Sequence, residues 1–364
     1  MVKKIDKSLL ILLFTFMIIS VITVYLSEQL LTEVNHYYLK QIIWYFIGYG
    51  IIYFILKVGN KSIYNHAFSF YIVSNILLFV LLLFATPINE SKCWFTIKGI
   101  GTIQPSEFTK IALIILLSKM CSLFKEKYEN PSIKDEFIFL LKVFLILIPP
   151  SILTFLEPDT GVVIIYFLIT IIMLFITGIR YRWFFMLIFL CLLIISLVLG
   201  IYFINQDLFI NTFGNSFFLR INRLLDWSNN SGYQLEKSLI SIGSAGLFGH
   251  GFKINLYIPE PQTDFIFAVF SSVFGLLGSI VLLILIALFD IKLINIGIKA
   301  KKNIDRYIIS GIVGMLIYQQ FQNIGMTFGL MPITGITLPF ISYGGSSLLS
   351  YMIMMGLVFN IAKH

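Results

Sequence analysis

One carboxylate stands where a polar segment enters a long apolar run. Asp264 follows the segment 259–263 (PEPQT) and precedes the apolar run 265–289. An ionisable side chain at the edge of a membrane span is costly unless it is paired or used, so Asp264 is predicted to belong to a functional site. Asp264 can accept a proton from a hydroxyl group as a general base. It can equally bind Mg²⁺ or another divalent cation, and the residues alone leave both roles open.

Two further pairs of charged residues have spacings that bring their side chains together. Glu107 and Lys110 lie three residues apart and share one face of a helix. They form either an ion pair that fixes helix packing or part of the wall of a polar, substrate-binding cavity. Glu157 and Asp159 flank Pro158 in a tight turn, where two acids could share acid and base work. Asp159 is favoured as the cap of the following helix, and the role of Glu157 stays open.

Two polar segments near the same predicted surface have two interpretations each. Arg220 and Arg223 either bind a phosphate or diphosphate, whose geometry matches the guanidinium fork, or anchor a helix at the membrane interface, which the residue type favours. The segment 342–347 (SYGGSS) is either a close helix contact through small residues or a polar rim for a sugar.

Several classes of chemistry are excluded by missing motifs. The chain has no glycine-rich phosphate loop ending in Lys-Ser or Lys-Thr, its four histidines are scattered, and no paired His or Cys spacing fits a metal. No nucleotide cofactor is therefore expected. The net charge of +8 lies in loops between apolar runs, where membrane topology explains it and nucleic-acid binding does not.

Composition indicates an all-α polytopic membrane protein. Hydrophobic residues make up 58% of the chain and charged residues only 12%, and the apolar runs are long enough to cross a hydrocarbon core of about 30 Å. About ten transmembrane helices are predicted, approximately at 8–26, 39–57, 67–86, 107–124, 137–155, 161–178, 183–204, 265–289, 306–330 and 343–361.

Charge distribution predicts the orientation of these spans. Lysine and arginine cluster before span one and after spans two, four, six and eight, whereas the alternate loops hold acidic residues. Because basic residues in short loops stay in the cytoplasm, both termini are predicted to be cytoplasmic, within a single membrane domain (1–364). The segment 205–264, between spans seven and eight, is then a large extracytoplasmic loop.

Local patterns add detail to this outer side. In the loop we expect one interfacial helix around 217–225 and a second that begins near Tyr233 and ends in closely spaced glycines. Pro149 and Pro150 are expected to interrupt span five. Irregular backbone at membrane depth is tolerated where it lines a polar cavity, so a cavity is predicted in the outer half.

In combination, these motifs resemble the SEDS family of shape, elongation, division and sporulation proteins, the RodA/FtsW-like proteins. The segments that carry the resemblance run along nearly the whole chain in the same order: 104–110 (QPSEFTK), 157–161 (EPDTG), 232–238 (GYQLEKS), 242–244 (IGS), 259–267 (PEPQTDFIF) and 339–347 (PFISYGGSS).

The resemblance implies a peptidoglycan glycosyltransferase that polymerises lipid II at the outer face of the bacterial cytoplasmic membrane, for elongation and shape or for division. It also implies a class B penicillin-binding protein as partner, beside membrane lipids. Asp264 matches the family's essential aspartate, and we expect it to act as general base or metal ligand in an inverting transfer. The substrate-binding residues it implies, with those proposed above, are Trp94, Glu107, Lys110, Glu157, Arg220, Arg223, Gln234 and Ser342.

The sequence departs from the family pattern at four positions. Cys93 replaces an arginine, Lys237 replaces a glutamine, and Ser272-Val273 replace two acids. The segment 323–331 is more similar to RodA and the segment 259–264 to FtsW or its sporulation relatives, and the short termini slightly favour RodA. A lipid II flippase or transporter and a noncatalytic scaffold for the penicillin-binding protein are the alternative functions. A transporter should continue its polar groups toward the cytoplasmic half.

Overall fold

The computed structural model describes residues 5–31, 36–85, 92–97, 101–215, 217–218, 221–222, 232–252 and 257–363. Within these ranges the chain is almost entirely helical, with one small antiparallel hairpin, and the predicted all-α class is confirmed. The elements are α1 (Lys7–Glu28), α2 (Tyr37–Val58), α3 (Asn60–Asn65), α4 (Ala67–Phe84), β1 (Phe95–Ile97), β2 (Gly101–Ile103), α5 (Pro105–Lys127), α6 (Ile133–Leu156), α7 (Thr160–Thr177), α8 (Tyr181–Ile204), α9 (Gln206–Phe213), α10 (Tyr233–Ser244), α11 (Ile266–Lys299), α12 (Asn303–Thr327) and α13 (Gly345–Ala362).

Ten of these helices correspond to the predicted spans. Eight are long and apolar enough to cross a membrane by length and composition: α1, α2, α4, α6, α7, α8, α11 and α13. Helices α5 and α12, with 23 and 25 residues, are also long enough but carry more polar side chains. They lie in the interior of the bundle, where Lys110 of α5 and Asn323 of α12 are completely buried. Their polarity is therefore directed at neighbouring helices, and about ten spans are consistent with the fold.

Close packing of small residues and aromatic rings holds the bundle together. Gly48 of α2 lies against Met352 of α13, so that the two helices approach closely. The ring of Phe16 on α1 contacts Phe289 of α11 and stacks on Phe340, with centroids 5.3 and 6.0 Å apart. Helix α8 differs, because it is exposed along most of its length.

Helix α6 continues through Pro149 and Pro150, so the predicted interruption of span five is wrong. A proline inside a helix frees the carbonyl four residues earlier. For Pro150 that carbonyl belongs to Ile146, and the Tyr71 hydroxyl of α4 donates a hydrogen bond to it at 2.9 Å. The partner on a neighbouring helix explains why the helix persists.

Helix α11 is longer than predicted and is broken at Gly275. It extends to Lys299 instead of ending near residue 289, and Gly275 has φ 66° and ψ −164°. In an unbroken helix the carbonyls of Ser272 and Val273 would accept from Leu276 and Leu277. They accept instead from His250 and Gly251, at 2.9 and 3.1 Å.

The long loop supplies the complementary groups. The backbone N–H groups of Leu276 and Leu277 donate to the carbonyls of Gly246 and Leu247, at 3.0 and 3.1 Å. The turn after α10 is thus inserted into the break of α11 and satisfies its four free backbone groups. A helix beginning at Tyr233 and closed by glycines is confirmed. Of the predicted helix around 217–225, the described residues 217–218 and 221–222 are helical, and the rest lies outside the described ranges.

Candidate functional site

A cavity of about 620 Å³ opens at the end of the bundle where α6 ends and α11 and α13 begin, here called the loop end. Its wall combines the β-hairpin, the start of α5, the turn between α6 and α7, the segment 257–265 and the segment 331–347. The side chains that carry its polarity are Trp94, Gln104, Glu107, Asp159, Glu260, Asp264, Gln319, Tyr343, Ser346 and Ser347.

Asp264 borders this cavity, and its backbone is fixed from two sides. The Asn323 amide of α12 donates hydrogen bonds to the carbonyls of Asp264 and Ile336, at 2.9 and 2.8 Å. The Ser342 hydroxyl donates to the carbonyl of Thr263 at 2.7 Å. These bonds join the segment before α11 to the segment before α13, so the carboxylate is presented from a rigid support.

The electrostatic surroundings of Asp264 favour its protonated form. Burial, together with the negative charge of nearby Glu260, raises the pKa of Asp264 to about 7. Glu260 itself has φ 43° and closes the turn by accepting hydrogen bonds from Gln262 and Thr263. An acid with a pKa near neutrality can exchange a proton with a hydroxyl group efficiently at physiological pH. Asp264 is therefore suited to proton transfer.

Glu107 and Lys110 form the ion pair that their spacing allows. The Lys110 ammonium lies 2.8 Å from both carboxylate oxygens of Glu107, and its side chain is fully buried. Ser350 of α13 donates a further hydrogen bond to Glu107 at 3.2 Å. Glu107 borders the cavity, whereas Lys110 lies behind it. The Lys110 side chain is thus separated from the cavity by Glu107.

Breaking this pair should destabilise the protein. We expect Lys110→Met to lower the free energy of unfolding by about 3 kcal/mol, because it leaves the Glu107 carboxylate buried without its cation. The double variant Lys110→Met/Glu107→Gln should recover part of that loss. Thermal unfolding in detergent measures both, with Lys125→Met, an exposed lysine of the same helix, as control. Equal stabilities of the single and double variants would contradict this coupling.

The two acids in the turn between α6 and α7, Glu157 and Asp159, have different surroundings. Asp159 caps α7, as predicted, by accepting a hydrogen bond from the Val162 N–H at 3.2 Å. Its other oxygen accepts from Gln104 at 2.8 Å, and burial raises its pKa. Glu157 is fully buried behind the cavity wall. Burial, reinforced by the charge of Asp159, raises the pKa of Glu157 to about 9, so that this side chain is neutral at pH 7.

The hairpin and the start of α13 close the opposite wall. Trp94 precedes β1 and borders the cavity, and the Cys93 thiol donates to the carbonyl of Glu157 at 2.7 Å. The Ser346 hydroxyl receives a hydrogen bond from the Gln104 N–H at 3.0 Å and donates to the carbonyl of Thr102 at 3.3 Å. These contacts attach the hairpin to the N-terminus of α13, whose positive end faces the cavity.

The structure therefore brings together three of the predicted site residues. Asp264, Trp94 and Glu107 line one cavity, while four others do not: Lys110, Glu157, Gln234 and Ser342. Ser342 supports the Asp264 segment through its hydrogen bond to the Thr263 carbonyl. Arg220 and Arg223 lie outside the described residues. The roles of all these residues toward a substrate remain predictions.

Two residues at the site were not found by sequence reasoning. Glu260 lies four positions before Asp264, a spacing that brings side chains together in a turn, and this signal was available. Asn323 gave no such signal, because a buried amide in an apolar helix is equally compatible with a helix–helix hydrogen bond far from any site.

Asn323→Ala tests the positioning of Asp264. The change removes both hydrogen bonds of the amide, and a displaced catalytic group costs on the order of 100-fold in rate. We expect kcat of the reaction proposed below to fall by about this factor while KM stays nearly constant. Asn75→Ala, which removes an amide that bonds within its own helix, serves as control. An unchanged kcat for folded Asn323→Ala would show that Asp264 does not depend on this support.

Sequence comparisons define the family. The profile of the family described as "Cell cycle protein", FtsW/RodA/SpoVE, matches residues 4–364. Stage V sporulation protein E of Bacillus subtilis (strain 168) is 30% identical over 386 residues, which cover 100% of this chain and 98% of that protein. A probable peptidoglycan glycosyltransferase FtsW of Lactococcus lactis is 32% identical over 293 residues, 76% of this chain and 70% of that protein.

Solved structures share the same fold. The polytopic helical bundle with its polar cavity belongs to the FtsW/RodA/SpoVE family, the SEDS proteins, as the sequence motifs predicted. A chain described under "Structural coordination of polymerization and crosslinking by a peptidoglycan synthase complex" matches with a TM-score of 0.79 and 22% identity, covering 98% of this chain and 97% of that chain. RodA of Thermus thermophilus matches with a TM-score of 0.70 and 23% identity, covering 98% and 96%. The preference for the RodA branch remains a prediction.

Proposed function

We propose that this protein is a peptidoglycan glycosyltransferase that polymerises lipid II into glycan strands. The observation that carries the proposal is the partly buried Asp264 carboxylate, with its pKa near 7, at the wall of a polar cavity. The names of the FtsW relatives support the reaction class. The proposed site is the outer face of the cytoplasmic membrane, because acidic residues concentrate at the loop end and basic residues at the other.

In the proposed mechanism Asp264 acts as the general base. It accepts the proton of the sugar 4-hydroxyl of one lipid II molecule as that oxygen attacks the anomeric carbon of a second molecule. The bond to the diphosphate breaks in the same displacement, which inverts the anomeric centre. A diphosphate leaves readily once its charge is neutralised, so a second carboxylate acting as general acid is less needed than in glycosidases.

The N-terminus of α13 is suited to receive the departing diphosphate. The first turn of α13 borders the cavity with Gly345, Ser346 and Ser347. Free N–H groups at a helix N-terminus bind phosphate. Arg220 and Arg223 are the further candidates for this role. Lys110 would act indirectly, by holding Glu107.

The acids at the cavity also fit a metal-dependent form of the reaction. Asp264 and Glu260 would hold Mg²⁺ or another divalent cation, which would relieve their mutual repulsion and neutralise charge on the diphosphate when bound. Glu260→Gln separates the two roles. If Asp264 is the base, removing the negative charge should lower its pKa and shift the activity profile to lower pH. If both acids bind a cation, the variant should require a higher concentration of that cation.

The alternative functions predict different locations of polar groups. A flippase would need polar side chains along a path to the opposite end of the bundle. Asp290 of α11 does lie deeper, where it accepts a hydrogen bond from Gln320 at 3.2 Å, and this pair keeps the flippase as second candidate. The pair does not border the cavity, which supports catalysis at one face.

A class B penicillin-binding protein is the proposed partner.

Reconstitution distinguishes these functions. The wild-type protein is placed in proteoliposomes with lipid II as the sole donor and acceptor, with and without the penicillin-binding protein. Formation of glycan strands is expected. Transfer of lipid II across the bilayer without strands would favour the flippase, and absence of both activities even with the partner would favour a scaffold.

A further inference from the structure

A second cavity, of about 710 Å³, lies at the end of the bundle opposite the loop end. It is bordered by α3, the C-terminal half of α5, the turn between α11 and α12, and the end of α13. None of its lining residues borders the cavity that contains Asp264. It therefore requires an explanation independent of the proposed glycosyltransferase.

Three lysines from three separate elements line this second cavity. Lys61 belongs to α3, Lys119 to α5 and Lys302 to the turn before α12. Among the residues that the structure describes, none of these ammonium groups has a carboxylate oxygen within 4.0 Å. Lys119 donates to the backbone carbonyl of Asn65 at 3.5 Å. The cavity thus gathers three ammonium groups that do not form an ion pair with any described carboxylate.

The two acids that line the same cavity each have another hydrogen-bonding partner. Asp305 is 6% exposed and accepts a hydrogen bond from the Tyr64 hydroxyl at 2.7 Å. Glu126 accepts from the Ser122 hydroxyl at 2.8 Å. Even with both acids ionised, three ammonium groups outnumber two carboxylates, so the lining carries a net positive charge.

The position and the lining indicate the class of anion. Lys119 lies eight residues before the end of α5, about 12 Å along the helix axis. Leu123 lies one turn further on, borders the cavity and is 56% exposed. A wall that combines ammonium groups with an exposed apolar edge fits an amphipathic anion better than a hydrated ion. Clusters of lysine next to membrane helices attract anionic lipids.

From this geometry we infer that the second cavity binds the phosphate group of an anionic phospholipid through Lys61, Lys119 and Lys302. The tetrahedral phosphate offers several acceptor oxygens to three ammonium donors at once. The Leu123 edge would lie beside the start of the acyl chains. Bound lipid would join α3, α5 and the turn before α12 through these three lysines.

The test measures binding of phosphatidylglycerol to the full-length protein in neutral detergent by native mass spectrometry. The triple variant Lys61→Gln/Lys119→Gln/Lys302→Gln is compared with the matched triple Lys57→Gln/Lys125→Gln/Lys299→Gln. Both sets lie at the same end of the bundle and lower the net charge of +8 by three. The pocket triple should weaken phosphatidylglycerol binding about tenfold or more, and the matched triple should leave it unchanged.

Three results would overturn the inference. Equal losses in the two triples would assign binding to diffuse surface charge, and no loss in either would remove the site. Displacement of phosphatidylglycerol by inorganic phosphate would assign the cavity to a soluble anion. Phosphatidylcholine has the same phosphate but no net charge, because its headgroup also carries an ammonium group; as the zwitterionic control it should bind much more weakly than phosphatidylglycerol. If the pocket triple does not fold, the single variants Lys61→Gln and Lys302→Gln, whose side chains are exposed, should each show a smaller loss in the same assay.

Discussion

Asp264→Asn is expected to reduce the initial rate of glycan-strand formation by about 10²- to 10⁴-fold, the contribution typical of a general base. Asparagine has nearly the same shape as aspartate and keeps the backbone carbonyl that Asn323 binds. It cannot accept the proton of the attacking hydroxyl. The loss should therefore appear in kcat at unchanged folding.

The same substitution should not reduce stability. Burial and Glu260 raise the pKa of Asp264 in the folded protein to about 7, above the value of about 3.9 in an unfolded chain. Ionisation of Asp264 therefore costs folding free energy that grows as the pH rises from about 4 to about 7 and then stays constant. Asp264→Asn removes this cost, so above pH 7 the variant should unfold at an equal or higher temperature than the wild type.

Asp207→Asn is the matched control for this prediction. Asp207 lies in the same long loop, is exposed and does not border the cavity, so its neutralisation should leave the rate unchanged. Normal polymerisation by Asp264→Asn, measured with labelled lipid II at equal amounts of folded protein, would exclude Asp264 as base and as essential metal ligand. An equal loss in Asp207→Asn would point to a general effect of loop charge.

Gly275→Ala is expected to cause the largest loss of stability of any single methyl addition considered. The backbone at Gly275 occupies a region that is essentially restricted to glycine, where another residue costs about 1–3 kcal/mol. The new methyl group would also overlap the Leu247 carbonyl and the Gly249 nitrogen. The inserted turn would have to leave the break, and the four backbone groups that it satisfies would lose their partners. Because the break lies eleven residues after Asp264, activity should fall together with stability.

Gly249→Ala should have a similar effect. Gly249 has φ 78°, a conformation that favours glycine, and an added methyl group would overlap the Val273 carbonyl. Gly243→Ala is the control. Gly243 lies in α10, just before the inserted turn, and a Cβ atom there would meet no atom within 4 Å. Midpoints of thermal unfolding and initial polymerisation rates should drop for Gly249→Ala and Gly275→Ala but not for Gly243→Ala. Wild-type values for Gly275→Ala would disprove the interlocking of the loop with α11.

Hydropathy and charge predicted the helices well because most spans are apolar along their whole length. These two patterns also located α5 and α12, whose interior positions hide polar side chains such as Lys110 and Asn323 from lipid. The break at Gly275 was missed because glycine is common inside membrane helices. Its consequence depends on a turn some 25 positions earlier in the chain. The continuation of α6 through its prolines also depends on a distant residue. The Ile146 carbonyl that Pro150 leaves without its helical partner accepts a hydrogen bond from Tyr71, which belongs to another helix.

The site residues that could be predicted from the sequence are charged residues beside membrane spans, where an unpaired charge costs free energy. Asp264 and Glu107 are charged residues beside apolar runs, and both border the cavity. Spacing alone could not decide which partner of a pair faces the cavity. Lys110 binds Glu107 inside the bundle, where Ser350 also donates to Glu107. The Glu157 carbonyl accepts a hydrogen bond from Cys93, which precedes the hairpin. These placements depend on contacts between distant segments, which local patterns do not contain.

The pH dependence of kcat/KM for lipid II polymerisation shows whether the Asp264 carboxylate accepts the proton of the attacking hydroxyl. Because protonation removes the base, kcat/KM should fall about tenfold per pH unit below an inflection near pH 7 and reach a plateau above it. The inflection should stay in place when Mg²⁺ is exchanged for Mn²⁺. A profile without an inflection between pH 5 and 8, or an inflection that moves with the metal, would contradict the assignment of Asp264 as the general base.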